Sequence, residues 1–164
     1  MAYESLRADD IKTINKYSDM VYKLAFSMVK NKFDAEDIHQ EVFVKYIDKH
    51  PVFENMEHEK AWFLRVTINL AKNLWKSTWK QKVTSLLDFE KEEPTAEPTQ
   101  EDGIIEIVKT LPKKYRIVIH LFYYEDLSME EIAKVLQLKE STVRTQLTRA
   151  RQKLKEILKE DMDV

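Results

Sequence analysis

Apolar residues recur every three to four positions along most of the chain, the spacing of one face of an α-helix. Tyr17, Met20, Val21, Leu24, Ala25, Met28 and Val29 mark the first such face. A second helix is predicted to open near Asp34, because Asp34, Glu36 and Asp37 suit the positive end of the macrodipole. It runs through Ile38, Val42, Phe43, Tyr46 and Ile47, and Pro51 after His50 stops it. A third helical stretch covers about residues 58–82. Three amphipathic helices of this length can enclose one small core.

The pattern then collapses. Residues 88–102, DFEKEEPTAEPTQED, contain Pro94 and Pro98, high charge and almost no apolar side chain, and read as an extended linker. Residues 1–87 and 103–164 are therefore expected to form two separate domains. In the second, Ile104, Ile105, Val108 and Leu111 end at Pro112. Tyr115, Val118, Ile119 and Phe122 form another face, broken at Glu125–Asp126–Leu127. Ser128 with Glu131 three residues on is a capping box, opening a helix whose buried stripe is Met129, Ile132, Ala133 and Leu136. Gln137, Leu138 and Lys139 separate it from a longer helix that begins near Glu140. The predicted fold is all-α: two small helical domains joined by an acidic, proline-containing linker.

Composition narrows the function. The 164 residues include one glycine, Gly103, where average usage would give about eleven. Rossmann and Walker loops need several, so both are excluded. There is no cysteine, which excludes disulfides, thiolate zinc sites and cysteine nucleophiles. The opening MAYESLRADD is charged, no signal peptide is expected, and no run suggests membrane insertion. A soluble, cytoplasmic protein is the expectation. His39, His50, His58 and His120 are scattered, so neither a metal nor another cofactor is expected. No nucleophile–base pairing suggests an enzyme.

The net charge of −2 conceals a strong partition. Residues 60–82 carry six bases and no acid, residues 88–102 a net −6, and residues 139–159 a net +5. Two basic blocks flanking an acidic one suggest two contacts with a polyanion. The second block is the longer helix after a short helix and tight turn, the layout of a helix-turn-helix. Val143, Leu147, Ala150, Leu154 and Leu158 form its inner stripe, and Thr145, Thr148, Arg149 and Gln152 face away. Arginine and short polar side chains suit base edges, while Arg144, Arg151 and Lys155 on the flank suit phosphates. The first block, AWFLRVTINLAKNLWKSTWKQK, interleaves Trp62, Phe63, Trp75 and Trp79 with Arg65, Lys72 and Lys76, and adds Asn69 and Asn73. Stacking rings among cations suit unpaired nucleic acid, although Trp62 and Phe63 fit a hydrophobic core better. Asp34, Glu36, Asp37 and Glu41 read as a solvated or partner-binding face.

DAEDIHQEVFVKYI (34–47), AWFLRVTINLAKN (61–73) and LPKKYRIVIHLFYYEDLSMEEIAKVLQLKESTVRTQLTRARQKLK (111–155) resemble the extracytoplasmic-function class of bacterial sigma-70 sigma factors. The resemblance implies a partner, core RNA polymerase, that the chain directs to promoter DNA. It places Asp37, Gln40, Glu41 and Phe43 where the family docks on the polymerase clamp helices. Trp62, Arg65, Asn69, Lys72 and Asn73 fall in the segment that melts and reads the −10 element. Arg144, Thr145, Thr148 and Arg149 fall on the helix that reads the −35 element. It also implies an anti-sigma partner, and a linker that threads the polymerase RNA channel. The family's turn usually reads leucine–glycine, an apolar residue and serine, whereas here Gln137 and Lys139 stand in place of the glycine and serine. Gln137 must turn without glycine's freedom and Lys139 cannot cap, unless the helix starts at Ser141. A stand-alone helix-turn-helix regulator and a helical adaptor resembling an anti-sigma protein are the alternatives.

Overall fold

The computed structural model describes residues 6–85 and 107–162, with side chains described for 6–77 and 107–160. The linker at 88–102, Ile104, Ile105 and the side chain of Trp79 lie outside the described residues. The chain divides into two compact units, Met1–Ala96 and Glu97–Val164, and every element described is helical.

The first unit is three helices, α1 (Ala8–Val29), α2 (Lys32–Lys49) and α3 (Met56–Ser85). Asp10 closes the first turn of α1: its Oδ2 accepts the Arg7 backbone N–H at 3.2 Å. Its other oxygen accepts the Tyr46 hydroxyl of α2 at 3.2 Å, so this buried carboxylate also ties two helices. α2 starts earlier than its acidic run suggests. The Asn31 side chain accepts from Phe33 N and Asp34 N, and that cap moves the first turn back to Lys32. α3 likewise opens at Met56, where Asn55 Oδ1 accepts the His58 N–H at 2.8 Å. α1 and α2 both end in a left-handed residue, Lys30 and His50.

Tyr17, Val21, Leu24, Ala25 and Met28 of α1 meet Ile38, Val42, Phe43, Tyr46 and Ile47 of α2 across Phe63, Leu64, Ile68 and Ala71 of α3. Tyr17 also donates to Glu59 Oε1 at 2.7 Å, and Lys16 lies 3.5 Å from the same oxygen. Burial first, then the Glu59 carboxylate, push the Tyr17 phenol well above its ordinary value. His39 joins α2 to α1, its Nε2 2.8 Å from Ser18 Oγ and its ring edge-on to Tyr22 and Phe43.

The second unit contains α4 (Lys113–Ile119), α5 (Met129–Leu136) and α6 (Glu140–Met162). α4 runs into one wide π-turn, His120–Tyr124, in which Glu125 N donates to His120 O at 3.2 Å. The widening buries His120 and Leu121 and turns Tyr123 and Tyr124 outward. A strict 3.6-residue period does not anticipate it, and Phe122 is consequently only half-buried. Ile132 and Ala133 of α5 are buried as predicted; Val135 joins them, and Met129 and Leu136 are only half-buried. Ser128 and Glu131 form the capping box in both directions.

Gln137 adopts φ 56° and ψ 44°, the left-handed conformation that the family's glycine would take. Leu138 N then donates to Ala133 O at 3.0 Å, closing the end of α5. α6 begins at Glu140 rather than shifting to Ser141, because the Lys139 carbonyl accepts from Thr142 N and Val143 N. Cap hydrogen bonding at this end is thus supplied by backbone, not by a serine.

Two outcomes follow from these joints. A left-handed glutamine costs about 1 kcal/mol, so Gln137→Gly should stabilise the second unit by about 0.5–1 kcal/mol, read as a raised urea midpoint. Burial lowers the His39 value from its ordinary one, with the Ser18 bond opposing. The folded state therefore resists protonation, and its full stability, present above the unfolded value near pH 6.5, declines as pH falls below it. Urea titrations between about pH 7.5 and 5 should show a smaller decline for His39→Gln than for the parent.

Candidate nucleic-acid interface

On α3, Phe63, Leu64, Thr67, Ile68, Leu70 and Ala71 are buried and define the inner side. At ~100° per residue, Trp62, Arg65, Asn69, Lys72, Asn73 and Lys76 all fall within an arc of about 100° on the opposite side. Asn69, Asn73 and Lys76 are exposed, while Trp62, Arg65 and Lys72 are half-buried. Trp62 packs edge-on to Phe53 at 6.0 Å and Tyr46 at 6.2 Å, so one part of its ring belongs to the core and the rest borders the stripe. Phe63 is wholly core. Trp75 departs from the stripe. It continues the inner row Leu64, Ile68, Ala71 at helical spacing and is half-buried there. The mixed aromatic and basic composition made Trp75 look like a stacking residue, and helix phase separates it from the others.

On α6, Val143, Leu147 and Ala150 are buried, Leu154 is half-buried and Leu158 is exposed. Arg144, Thr145, Thr148, Arg149, Gln152 and Lys155 are all exposed. The Thr145 hydroxyl donates to Ser141 O at 3.0 Å and that of Thr148 to Arg144 O at 2.9 Å. With hydroxyls turned back on the helix, their methyl groups remain for apolar contact, such as a thymine methyl. Arg144 pairs loosely with Glu140 at 3.5 Å, an exposed contact that phosphate can replace. Arg151 leaves the phosphate-facing set: its guanidinium lies 5.1 Å from the Phe122 ring centre and its Nε donates to Tyr123 Oη at 2.7 Å. The π-turn creates that contact, which no sequence spacing announces.

Beside the outer face of α6 is a surface cleft of about 270 Å³, lined by Lys114, Tyr115, Ser141, Thr142, Thr145, Gln146 and Arg149. Lys114 comes from α4, so sequence distance hid its place beside Arg149.

On α2, Asp37, Gln40 and Glu41 are exposed, whereas Phe43 is 6% exposed. Its ring lies 5.7 Å from Phe63 and 5.0 Å from His39. Phe43 therefore holds α2 on the core and offers little exposed surface of its own. Among the described residues no cluster of His, Cys, Asp or Glu could hold a metal, and no helix is long and apolar enough to cross a membrane.

Family models for sigma-70 region 2 and sigma-70 region 4 match residues 13–81 and 102–154. The RNA polymerase sigma factor SigV of Bacillus subtilis is 32% identical over 93% of both chains. The chain belongs to the sigma-70 family, in its extracytoplasmic-function class. The extracytoplasmic-function factor SigX of Bacillus subtilis is 28% identical over 89% of this chain and 83% of its own length. The sigma factor RpoE of Bartonella quintana, solved in complex with the anti-sigma factor NepR, shares the fold with a TM-score of 0.76. It is 21% identical, over 93% of this chain and 98% of that one. CnrH, solved with the cytosolic domain of CnrY, gives a TM-score of 0.69 at 20% identity, over 98% and 94%. The first unit of this sigma factor is thus region 2 and the second region 4, and its function is transcription initiation with RNA polymerase. The family's members are not enzymes.

Proposed function

We propose that this sigma factor divides promoter recognition among three surfaces, in the cytoplasm and with no catalysis of its own. The exposed acids of α2 dock on core RNA polymerase, the outer stripe of α3 opens and reads the −10 element, and the outer face of α6 reads the −35 element. The observation that carries this reading is the phase of α3. Three cations, Arg65, Lys72 and Lys76, and two amides share the side opposite the core, on a helix whose inner row is almost wholly apolar.

Opening duplex DNA costs about 1.4 kcal/mol per stacked step, so several contacts must act together. Arg65, Lys72 and Lys76 hold the backbone, and the Asn69 amide, which both donates and accepts, pairs with an extruded base. The exposed edge of Trp62 supplies the stacking surface, and Trp75 keeps the helix seated. In region 4, Arg149 and the threonine methyls meet base edges, Gln152 extends that row, and Arg144 and Lys155 meet phosphates. Lys114 and Gln146, at the cleft beside Arg149, add a backbone contact. The structures of RpoE with NepR and CnrH with CnrY support an anti-sigma partner that restrains this chain. A stand-alone operator-binding regulator would leave the α3 stripe without a use, and a protein-only adaptor would leave both basic faces so.

The division is testable in transcription from a cognate promoter with core polymerase. Arg149→Ala should lose about 1–3 kcal/mol and relax preference at one −35 base pair, whereas Lys155→Ala should weaken all sequences alike and flatten the salt dependence. Equal effects across promoter variants would refute the division of α6. Asn69→Ala and Lys76→Ala should form closed complexes normally but fewer open ones, scored by permanganate reactivity of unpaired thymines. A pre-melted template should restore Lys76→Ala more than Asn69→Ala, because base reading is still missing in the latter. Parental opening by both variants would leave the α3 stripe only a phosphate-binding face.

A further inference from the structure

Phe33 is 77% exposed, in the first turn of α2. A ring left this exposed gives up hydrophobic stabilisation that burial would supply, so its position invites a reason. The local structure gives none: the Asn31 side chain that caps α2 accepts the backbone N–H groups of Phe33 and Asp34, a role that does not need the ring. The core takes its phenylalanines from Phe43 and Phe63 instead.

Helix phase supplies the context. At ~100° per residue, Phe33, Asp37, Gln40, Glu41 and Val44 share an arc of about 100°, with Phe33 inside it. Asp37, Gln40 and Glu41 are exposed and Val44 is half-buried. Exposed Glu36 and half-buried Asp34 border the ring on either side of that arc. The face is therefore an aromatic group set among carboxylates and an amide, which is the composition of an interface anchor with a polar rim. Nucleic acid is disfavoured as its occupant, because four carboxylates lie on or beside the face.

We infer that Phe33 is the apolar anchor of the polymerase-docking face of α2, seated in a pocket of core RNA polymerase rimmed by lysine or arginine. The inference rests on the reading of α2 given above and is carried by continuity with Asp37, Gln40 and Glu41 and by the charge of the face. It reassigns the aromatic contribution of this surface from Phe43, which is buried, to Phe33.

The test measures affinity of the full chain for core RNA polymerase with a fluorescent label on the sigma factor. Phe33→Ala should weaken binding about 10- to 100-fold, the range of an interface anchor, and Phe33→Leu should recover most of the loss. Thermal unfolding of Phe33→Ala should match the parent, since the ring contributes little to the folded core, whereas loss of a core ring would lower it. Glu41→Lys, on the same arc, serves as the control for the face itself. If Glu41→Lys weakens binding and Phe33→Ala does not, the ring lies outside the interface and the inference fails alone. If neither variant weakens binding, docking through α2 fails and takes the inference with it. Sedimentation showing a parental dimer that Phe33→Ala dissociates would assign the ring to self-association and overturn the proposal.

Discussion

The ring of Phe63, fully buried, lies 4.5 Å from Tyr17 of α1 and 5.4 and 5.7 Å from Tyr46 and Phe43 of α2, so one α3 side chain sets how all three helices of region 2 pack. Losing such a ring typically costs about 3–5 kcal/mol, a large part of the ~5–15 kcal/mol that keeps a domain folded. The consequence reaches the surface. Because Phe63 and its inner neighbours commit one side of α3 to the core, the helix must turn Arg65, Asn69, Lys72, Asn73 and Lys76 outward together. The outer stripe of cations and amides is in this sense a by-product of the phase that Phe63 imposes.

Scarcity of glycine shapes the joints. Lys30, His50, Asp126 and Gln137 all adopt positive φ, each a place where glycine would carry less strain. At Gln137 the return is direct: the left-handed residue lets Leu138 close α5 on Ala133 O and sets the angle at which α6 departs. The strain is taken up in a tight turn between α5 and α6.

Charge is arranged by surface rather than by total. α2 carries its carboxylates outward, α3 and α6 their cations, and the sum over the chain is only −2. Opposite signs on different helices let one small protein attract DNA with some faces while another repels it and remains free for protein. Aromatic residues are divided likewise: most stabilise cores, Phe33 stands in solvent, and Tyr123 is held under Arg151.

Helix periodicity, the capping box at Ser128 and the outer row of α6 were legible in the sequence, because each depends on residues within a few positions of one another. The single glycine and the absence of cysteine likewise restricted the chemistry before any contact was considered. Helix starts were less legible, since Asn31 and Asn55 act through a few side-chain hydrogen bonds that no periodicity marks. The aromatic residues were least so. Phe43 lies in an apolar run to which only the resemblance gives a docking role, and it packs on Phe63. Trp75 lies in a segment whose composition suggests a contact surface, yet helix phase puts it on the inner row, while Phe33 stays outside. The π-turn that claims Arg151, and the cleft that brings Lys114 beside Arg149, arise only when distant helices meet. Sequence determined which faces exist, through spacing of 3.6 residues per turn. Tertiary structure alone decided which of those faces are buried, because burial depends on what each face finds across the core.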